Sequence, residues 1–152
     1  MRVDIWSDVV CPFCYIGKKR LEKAATEAGV ELEVHWHSYQ LDPEAPVRQE
    51  VSNSERLAQK YGRTLAEVEE MQRNIAAMAK EEGIEFNWEG ANSGNTFNTH
   101  RLIHLAQSKG LGSEAKEAFF FSYMTQGLAI GERETSEDVA SRIGLNPVEV
   151  DD

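Results

Sequence analysis

Residues 7–24, SDVVCPFCYIGKKRLEKA, hold both cysteines of the chain, Cys11 and Cys14, where a helix is expected to begin. Proline is tolerated in a first helical turn, where the backbone N–H has no partner, so Pro12 fits that position. Small and apolar residues then recur every three or four positions until Gly29, which is typical of a helix C-terminus. The stretch therefore predicts a helix that carries a C-x-x-C dithiol at its N-terminus.

The segments on either side of this helix alternate apolar and polar side chains, as β-strands do. They are RVDIWS, residues 2–7, and VELEVHWHSYQL, residues 30–41. A strand, a helix and a strand with short connections indicate a parallel βαβ unit. Beyond it the pattern is helical, with N-caps predicted at Thr64, Thr96, Ser113 and either Thr135 or Ser136. The expected fold class is α/β, with a βαβ unit followed by an all-helical region.

The chain divides into three predicted parts. Residues 1–42 form the βαβ unit, residues 43–145 form the helical region, and residues 146–152, NPVEVDD, resemble the start of a further helix. Two parallel strands are too few for an independently stable sheet. We therefore expect either an N-terminal piece of a longer protein or a chain that self-associates to complete its sheet. In isolation the chain is expected to be marginally stable.

The composition is that of a soluble globular domain. The chain has 152 residues, 41% of them hydrophobic and 28% charged, which is enough for one domain with a core. A formal charge of -10 argues against nucleic acid and anionic membranes as partners, because both attract basic surfaces. The first residues lack the pattern of a signal peptide, and no apolar run approaches the ~20 residues of a membrane span. We expect a cytoplasmic protein, where two close thiols more often bind metal or exchange electrons.

The position of the dithiol suits thiol–disulfide exchange. A Cys11 thiolate would face unpaired N–H groups and the positive end of the helix dipole, so its pKa is expected to be low. Cys14 lies on the apolar stripe and is expected to be more buried and less acidic. Cys11 would then attack a disulfide and Cys14 would resolve the mixed disulfide. Pro12 and Phe13, between them, would tune the potential.

Two other interpretations of the cysteines stay open at this point. Both can be small core residues. Alternatively, Cys11 and Cys14 can bind zinc together with His35 and His37, which share one face of the second strand. A single C-x-x-C is only half of a zinc site, and the two histidines are otherwise ordinary strand residues.

Four segments of the chain, in order, resemble the FrnE branch of the DsbA-like thioredoxin-fold family. They are SDVVCPFCYIGKKRLEKA, LEVHWHSYQLDP, NTFNTHRLIHLA and FFFSYMTQGLAIGERE. The resemblance implies a thioredoxin fold with a helical domain inserted after the second strand. It also implies disulfide oxidoreductase activity, with Cys11 as the nucleophile and Cys14 as the resolving cysteine.

The resemblance also suggests residues near the substrate. The helical insertion of the family faces the active site, so Asn95, Thr96, His100 and Arg101 are candidates for substrate-side or interdomain positions, and Trp6 is a further candidate. For Asn95 and Thr96, helix capping explains the residues equally well. For Arg101, a solvated or ion-paired side chain is an equal alternative.

The chain departs from the family in two important ways. Phe13 occupies a position where DsbA has a histidine that stabilises the thiolate, so a less oxidising dithiol is expected. Relatives also continue with two more strands, a closing helix and a cis-proline opposite the motif, and none of the four prolines here can be that residue. The C-terminal ββα part of the fold is therefore expected to be absent, together with part of the substrate site.

Three functions follow from these observations. The first is disulfide exchange with a protein or small-molecule disulfide, using glutathione or a thioredoxin-type reductant. The second is a glutathione-dependent isomerase or transferase, like the 2-hydroxychromene-2-carboxylate isomerases and kappa-class transferases of the family, which typically carry a serine at the first motif position. The third is a zinc-binding or chaperone-like module with an apolar surface on the aromatic run Phe119, Phe120, Phe121 and Tyr123. For the first function no metal and no tightly bound cofactor is expected.

Overall fold

The computed structural model of the chain describes residues 1–150, except for the side chains of residues 147 and 150. Two strands and six α-helices follow one another along the chain. They are β1 (Arg2–Ser7), α1 (Pro12–Ala28), β2 (Glu33–Ser38), α2 (Asn53–Tyr61), α3 (Leu65–Glu81), α4 (Phe97–Ser108), α5 (Gly112–Met124) and α6 (Arg133–Arg142). Short 3-10 turns lie at Trp88–Gly90 and Pro147–Val150.

The two strands form the predicted parallel pair around α1. Val3 lies opposite Val34, and Trp6 lies opposite His37. Within residues 1–150 the sheet has these two strands, in the order β1-β2. Helices α4 and α5 contact β2, while α1 packs against α3 and α5. The α/β architecture predicted from the sequence is therefore confirmed.

Helix α5 joins the helical region to the dithiol-bearing helix. Phe119, Phe120 and Tyr123 are buried in the core, whereas Phe121 is 44% exposed. The ring of Tyr15 on α1 stacks on Phe120 with their centroids 4.9 Å apart. The aromatic run is therefore mostly core, and it leaves one ring for an apolar surface.

Two of the predicted helix starts are wrong. The Thr64 cap of α3 is confirmed, with its hydroxyl accepting from the Glu67 N–H at 3.2 Å. Helix α5, however, begins at Gly112, before Ser113, whose hydroxyl accepts a hydrogen bond from Trp36 Nε1 at 3.2 Å. Helix α6 begins at Arg133, before both predicted caps, and Ser136 is buried inside it. Tertiary partners use these hydroxyls, so they do not cap.

The segment between β2 and α2 is held against the helices by a close backbone approach. The carbonyl oxygen of Val47 lies between Gly94 and Gly131, and a Cβ atom on either glycine would overlap it. The amide of Asn95 donates to the carbonyls of Pro43 and Ala45 at 3.1 and 3.0 Å. These contacts fix the segment against the residues that precede α4 and α6.

The predicted division into residues 1–42, 43–145 and 146–152 stays a prediction. The predicted helix start lies in the 3-10 turn, where Asn146 Oδ1 accepts from the Val148 N–H at 3.3 Å. Residues 151 and 152 of that prediction lie outside the described part of the chain. Over the described residues, no helix is both long enough and apolar enough to traverse a bilayer.

Candidate active site

Cys11 occupies the N-cap of α1, as the sequence predicts. Its backbone is extended, with φ -99 and ψ 109, and Pro12 begins the helix. No side chain caps this end and no acidic residue lies in the first turn. The Cys11 sulfur is instead within reach of the N–H groups of Phe13 and Cys14. The helix start therefore offers backbone donors to a thiolate, although the Cys14 N–H also donates to the Cys11 carbonyl oxygen at 3.1 Å.

The two thiols are hydrogen-bonded to each other, and both are half-buried. Donation from the Cys11 thiol lowers the pKa of Cys14 to about 7, against the opposing effect of burial. The same bond, together with burial, raises the pKa of Cys11. The pair therefore loses its first proton near neutral pH and holds the second much more firmly. The sequence predicted a lower pKa for Cys11 than for Cys14, whereas the bond between the thiols lowers the pKa of Cys14 and raises that of Cys11. The greater burial expected for Cys14 stays a prediction, because both thiols are half-buried.

A buried lysine on α5 lies under the dithiol. Lys116 is 0% exposed, and its Nζ lies 3.5 Å from the Ser7 carbonyl oxygen, with the rings of Trp36 and Phe120 at 5.5 and 5.3 Å. Burial lowers the pKa of Lys116 to about 8, although Asp8 and both sulfurs oppose this. No carboxylate within residues 1–150 comes within 4.0 Å of Nζ, so the charge acts on the sulfurs without a close counter-ion.

Asp8 connects the loop before the motif to the helical region. Its carboxylate accepts from the N–H groups of Val9 and Leu41, both at 2.8 Å, and from His100 Nε2 at 3.1 Å. Thr96 also hydrogen-bonds this carboxylate. Burial would raise the pKa of Asp8, but these donors keep it below its ordinary value. His100 and Thr96 therefore hold the two parts of the site together, and Nδ1 of His100 has no partner among the described residues.

A cavity of about 330 Å³ opens beside the dithiol. The motif contributes Cys11, Pro12 and Phe13 to its wall, and Phe13 is 56% exposed. Helices α2, α3 and α5 supply the opposite side. Cys14 is not on this wall and packs against the core instead. The cavity therefore reaches one thiol of the pair, Cys11.

The remaining candidates from the sequence do not meet at this cavity. Trp6 is 62% exposed and stacks on His37, with ring centroids 4.4 Å apart. Asn95 fixes the neighbouring loop, and its Oδ1 accepts from the Phe97 N–H at 3.0 Å, which is a local structural role. Arg101 lies exposed on α4 and lines a separate shallow depression. None of these three lines the cavity at Cys11.

The four zinc ligands proposed from the sequence, Cys11, Cys14, His35 and His37, do not come together either. His37 Nε2 lies 2.9 Å from Asp4 Oδ1, and His35 Nε2 lies 2.8 Å from Glu33 Oε1. Over the described residues, no three His, Cys, Asp or Glu side chains are placed to hold a metal ion. The two histidines are therefore paired with carboxylates of the sheet and do not join the cysteines.

Sequence reasoning missed two residues of the site, Asp8 and Lys116. Asp8 is the one carboxylate between the first strand and the motif. Lys116 stands four residues before Phe120, on the helix face that is otherwise apolar. The sequence signal for Lys116 was a lysine on an otherwise apolar helix face. Its effect on the two sulfurs becomes visible only from the residues around it in the structure.

The chain matches the family model of the DSBA-like thioredoxin domain over residues 2–152. It belongs to this family. A probable DsbA oxidoreductase from Streptomyces coelicolor shares 32% sequence identity, with a TM-score of 0.89 over 99% of this chain and 66% of that one. The thioredoxin-like fold with a helical insertion, expected from the sequence, is therefore confirmed. The FrnE branch within the family stays a prediction.

Two further relatives are more distant. The uncharacterised protein YwbO of Bacillus subtilis is 24% identical over 147 residues, which cover 96% of this chain and 68% of that protein. A 2-hydroxychromene-2-carboxylate isomerase is 15% identical with a TM-score of 0.65, covering 99% of this chain and 70% of that one, a likeness of fold alone. The chain thus spans about two thirds of the length of its relatives.

Proposed function

We propose that this chain performs thiol–disulfide exchange, with Cys11 as the nucleophile and Cys14 as the resolving cysteine. The observation that carries the proposal is the hydrogen-bonded dithiol at the start of α1, whose first pKa is lowered to about 7 at Cys14. Such a pair carries one negative charge in about half of the molecules near neutral pH, and exchange depends on that thiolate. Cys11 faces the cavity, whereas Cys14 lies against the core.

The hydrogen bond between the thiols allows a proton to pass from Cys11 to Cys14 before the attack. Passing the Cys11 proton to Cys14 moves the negative charge to Cys11, where the N–H groups of Phe13 and Cys14 receive it. The positive charge of Lys116 favours the anion on either sulfur. Cys11 then attacks a disulfide, and the thiolate that leaves takes up a proton. Cys14, as a thiolate, attacks the Cys11 sulfur and completes the exchange.

Single serine variants test this assignment. Cys11→Ser is expected to abolish turnover of a small neutral disulfide such as 2-hydroxyethyl disulfide. Cys14→Ser is expected to accumulate a mixed disulfide on Cys11, seen as added mass on the intact chain, because no thiol remains to resolve it. Full turnover by the Cys11→Ser variant would contradict the assignment. So would a mixed disulfide that forms on Cys14 in Cys11→Ser but does not form on Cys11 in Cys14→Ser.

A glutathione-dependent isomerase or transferase is the alternative from another enzyme class. Its support is the likeness of fold to the isomerase named above, and the presence of both thiols favours exchange instead. If Cys14→Ser stayed fully active with glutathione on a small organic substrate, the isomerase would be the better proposal. Glutathione or a thioredoxin-type reductant as partner, membership of the FrnE branch and a cytoplasmic location all stay predictions.

A further inference from the structure

The cavity beside Cys11 has a basic wall opposite the dithiol. Asn53, Arg56 and Lys60 line it from α2, where their spacing of three and four residues places them on one face. Arg56 is half-buried, and its Nε and Nη2 donate to Asn53 Oδ1 at 3.2 and 2.9 Å. The guanidinium is therefore held in a fixed direction.

The two cations on this wall have no close counter-ion. Among residues 1–150, no carboxylate lies within 4.0 Å of Arg56 or Lys60. Two carboxylates do line the cavity, Asp8 and Asp42. Asp8 is satisfied by His100 and by backbone N–H groups, and Asp42 forms no ion pair with either cation. An anion that enters the cavity would thus find unpaired positive charge.

A buried amide on the same wall also lacks a partner. Gln72, on α3, is 2% exposed, and its Nε2 has no hydrogen-bond partner among the described residues. A buried donor without an acceptor is unfavourable, and the oxygen of a water or of a ligand would satisfy it. Gln72 is independent of the charges on α2, and the residue lines the same cavity, with its amide nitrogen just beneath the wall and closed to solvent.

The rest of the wall is largely hydrocarbon. It includes the side chains Val10, Leu57, Met71, Ile75 and Phe86. A volume of about 330 Å³ is near the lower end of the range for small-molecule sites. The cavity therefore suits a short aliphatic molecule with an acidic end, and it is too small to enclose a folded protein segment.

We infer that the cavity binds a low-molecular-weight disulfide that carries a carboxylate. One sulfur lies against Cys11, the carboxylate lies against Arg56 and Gln72, and the methylene groups contact the apolar wall. The inference rests on the proposed exchange function and names its substrate class.

The reaction with such a molecule balances without a further reagent. The Cys11 thiolate attacks one sulfur, the ligand S–S bond breaks, and one carboxylate-bearing thiol leaves with a proton. Cys14 then attacks the Cys11 sulfur and releases the second thiol. The protein dithiol is oxidised by two electrons, and the ligand disulfide is reduced to two thiols.

A series of short disulfides with different end groups tests the charge preference. The probes are 3,3′-dithiodipropionate, neutral 2-hydroxyethyl disulfide and cationic cystamine, and the readout is the rate at which each oxidises the reduced protein. Each rate is divided by that of the same probe with a free thiol, which removes intrinsic reactivity. The dianion is expected to react fastest and cystamine slowest.

Arg56→Gln is expected to slow dithiodipropionate about tenfold, the effect of one charge-assisted hydrogen bond, and to slow the neutral probe much less. Arg73→Gln is the matched control. Arg73 is exposed on α3 and outside the cavity wall, and its loss changes the net charge equally. An equal slowing in both variants would mean that overall charge, and not the site, determines the preference.

A ligand that cannot exchange separates the binding site from the chemistry. 3,3′-Thiodipropionate has a sulfide in place of the disulfide, and its binding is measured by titration calorimetry. Arg56→Gln and Gln72→Leu are expected to weaken it about tenfold each. The Gln72→Leu protein without ligand should be at least as stable as the wild type, because an unpartnered buried amide is removed.

The two experiments distinguish failure of the cavity inference from failure of the exchange proposal. If thiodipropionate binds and no disulfide oxidises the protein, the cavity inference stands and the exchange proposal fails. If all three disulfides react alike and Arg56→Gln has no effect on the dianion, exchange stands and the inference is overturned. Absence of thiodipropionate binding would also overturn it.

Discussion

Replacing Lys116 with methionine should stabilise the fold and make the dithiol less acidic. Methionine keeps most of the side-chain length and apolar contact, including the contacts with Trp36 and Phe120, and removes the charge. A variant that only damaged packing would lower stability. The expected combination is therefore specific to a buried charge that acts on the sulfurs.

The effect on stability follows from the lysine pKa. Lowering it from 10.5 to about 8 corresponds to about 3 kcal/mol of unfavourable free energy for the charged form. The Met variant should gain up to that amount at pH 7. Between about pH 8 and 10.5 the unfolded wild-type chain keeps a proton that the folded chain has lost, so rising pH favours the folded wild type. The advantage of the variant should therefore shrink across that window.

The effect on the thiols is smaller. Three groups lower the pKa of Cys14 to about 7. The hydrogen bond from Cys11 has the largest effect, followed by the Asp8 N–H and then by the charge of Lys116. Removing its charge should raise that pKa by about half to one unit, so the thiolate fraction at pH 7 falls about two- to fivefold. Alkylation by iodoacetamide across pH measures this, and urea unfolding at pH 7 and pH 10 measures stability.

Lys80→Met is the control, because Lys80 is exposed on α3 and away from the cysteines. It should change neither property. An unchanged thiol pKa in Lys116→Met would refute the electrostatic link between the lysine and the dithiol. A loss of stability by about 2 kcal/mol or more would refute the claim that the buried charge is unfavourable.

Two further predictions concern the scaffold. Asp8→Asn should lower the free energy of unfolding by about 3 kcal/mol at pH 7, since the donors of His100 and the backbone lose a carboxylate. Because the pKa of Asp8 is lowered on folding, this difference should diminish as the pH falls below 3.8, and urea titrations at several pH values would show it. Gly131→Ala should cost about 2 kcal/mol, because its Cβ would overlap the Val47 carbonyl. Gly17→Ala, which meets nothing within 4 Å, should be neutral or stabilising, and equal effects at the two glycines would contradict the argument.

Local features of this protein were predictable because their causes are close in sequence. The start of α1 at Pro12 depends on one missing N–H, and the Thr64 cap depends on a carboxylate three residues later. Predictions that treated a polar side chain as local when its partner was distant did not hold. Ser113 and Ser136 have the chemistry of caps, but the Ser113 hydroxyl accepts from Trp36 Nε1 and the Ser136 hydroxyl is hydrogen-bonded to that of Thr99, 37 residues away.

The sequence by itself determined the βαβ unit, the helical region and the position of two thiols at a helix N-terminus, since periodicity, proline and capping act within a few residues. Only the tertiary structure decided how the two thiols bond to each other and what surrounds the pair. His100 reaches Asp8 across 92 residues, and Lys116 on α5 lies 109 residues beyond Ser7. Burial and charge at a site depend on which distant segments pack there, and no pattern along the chain encodes that arrangement directly.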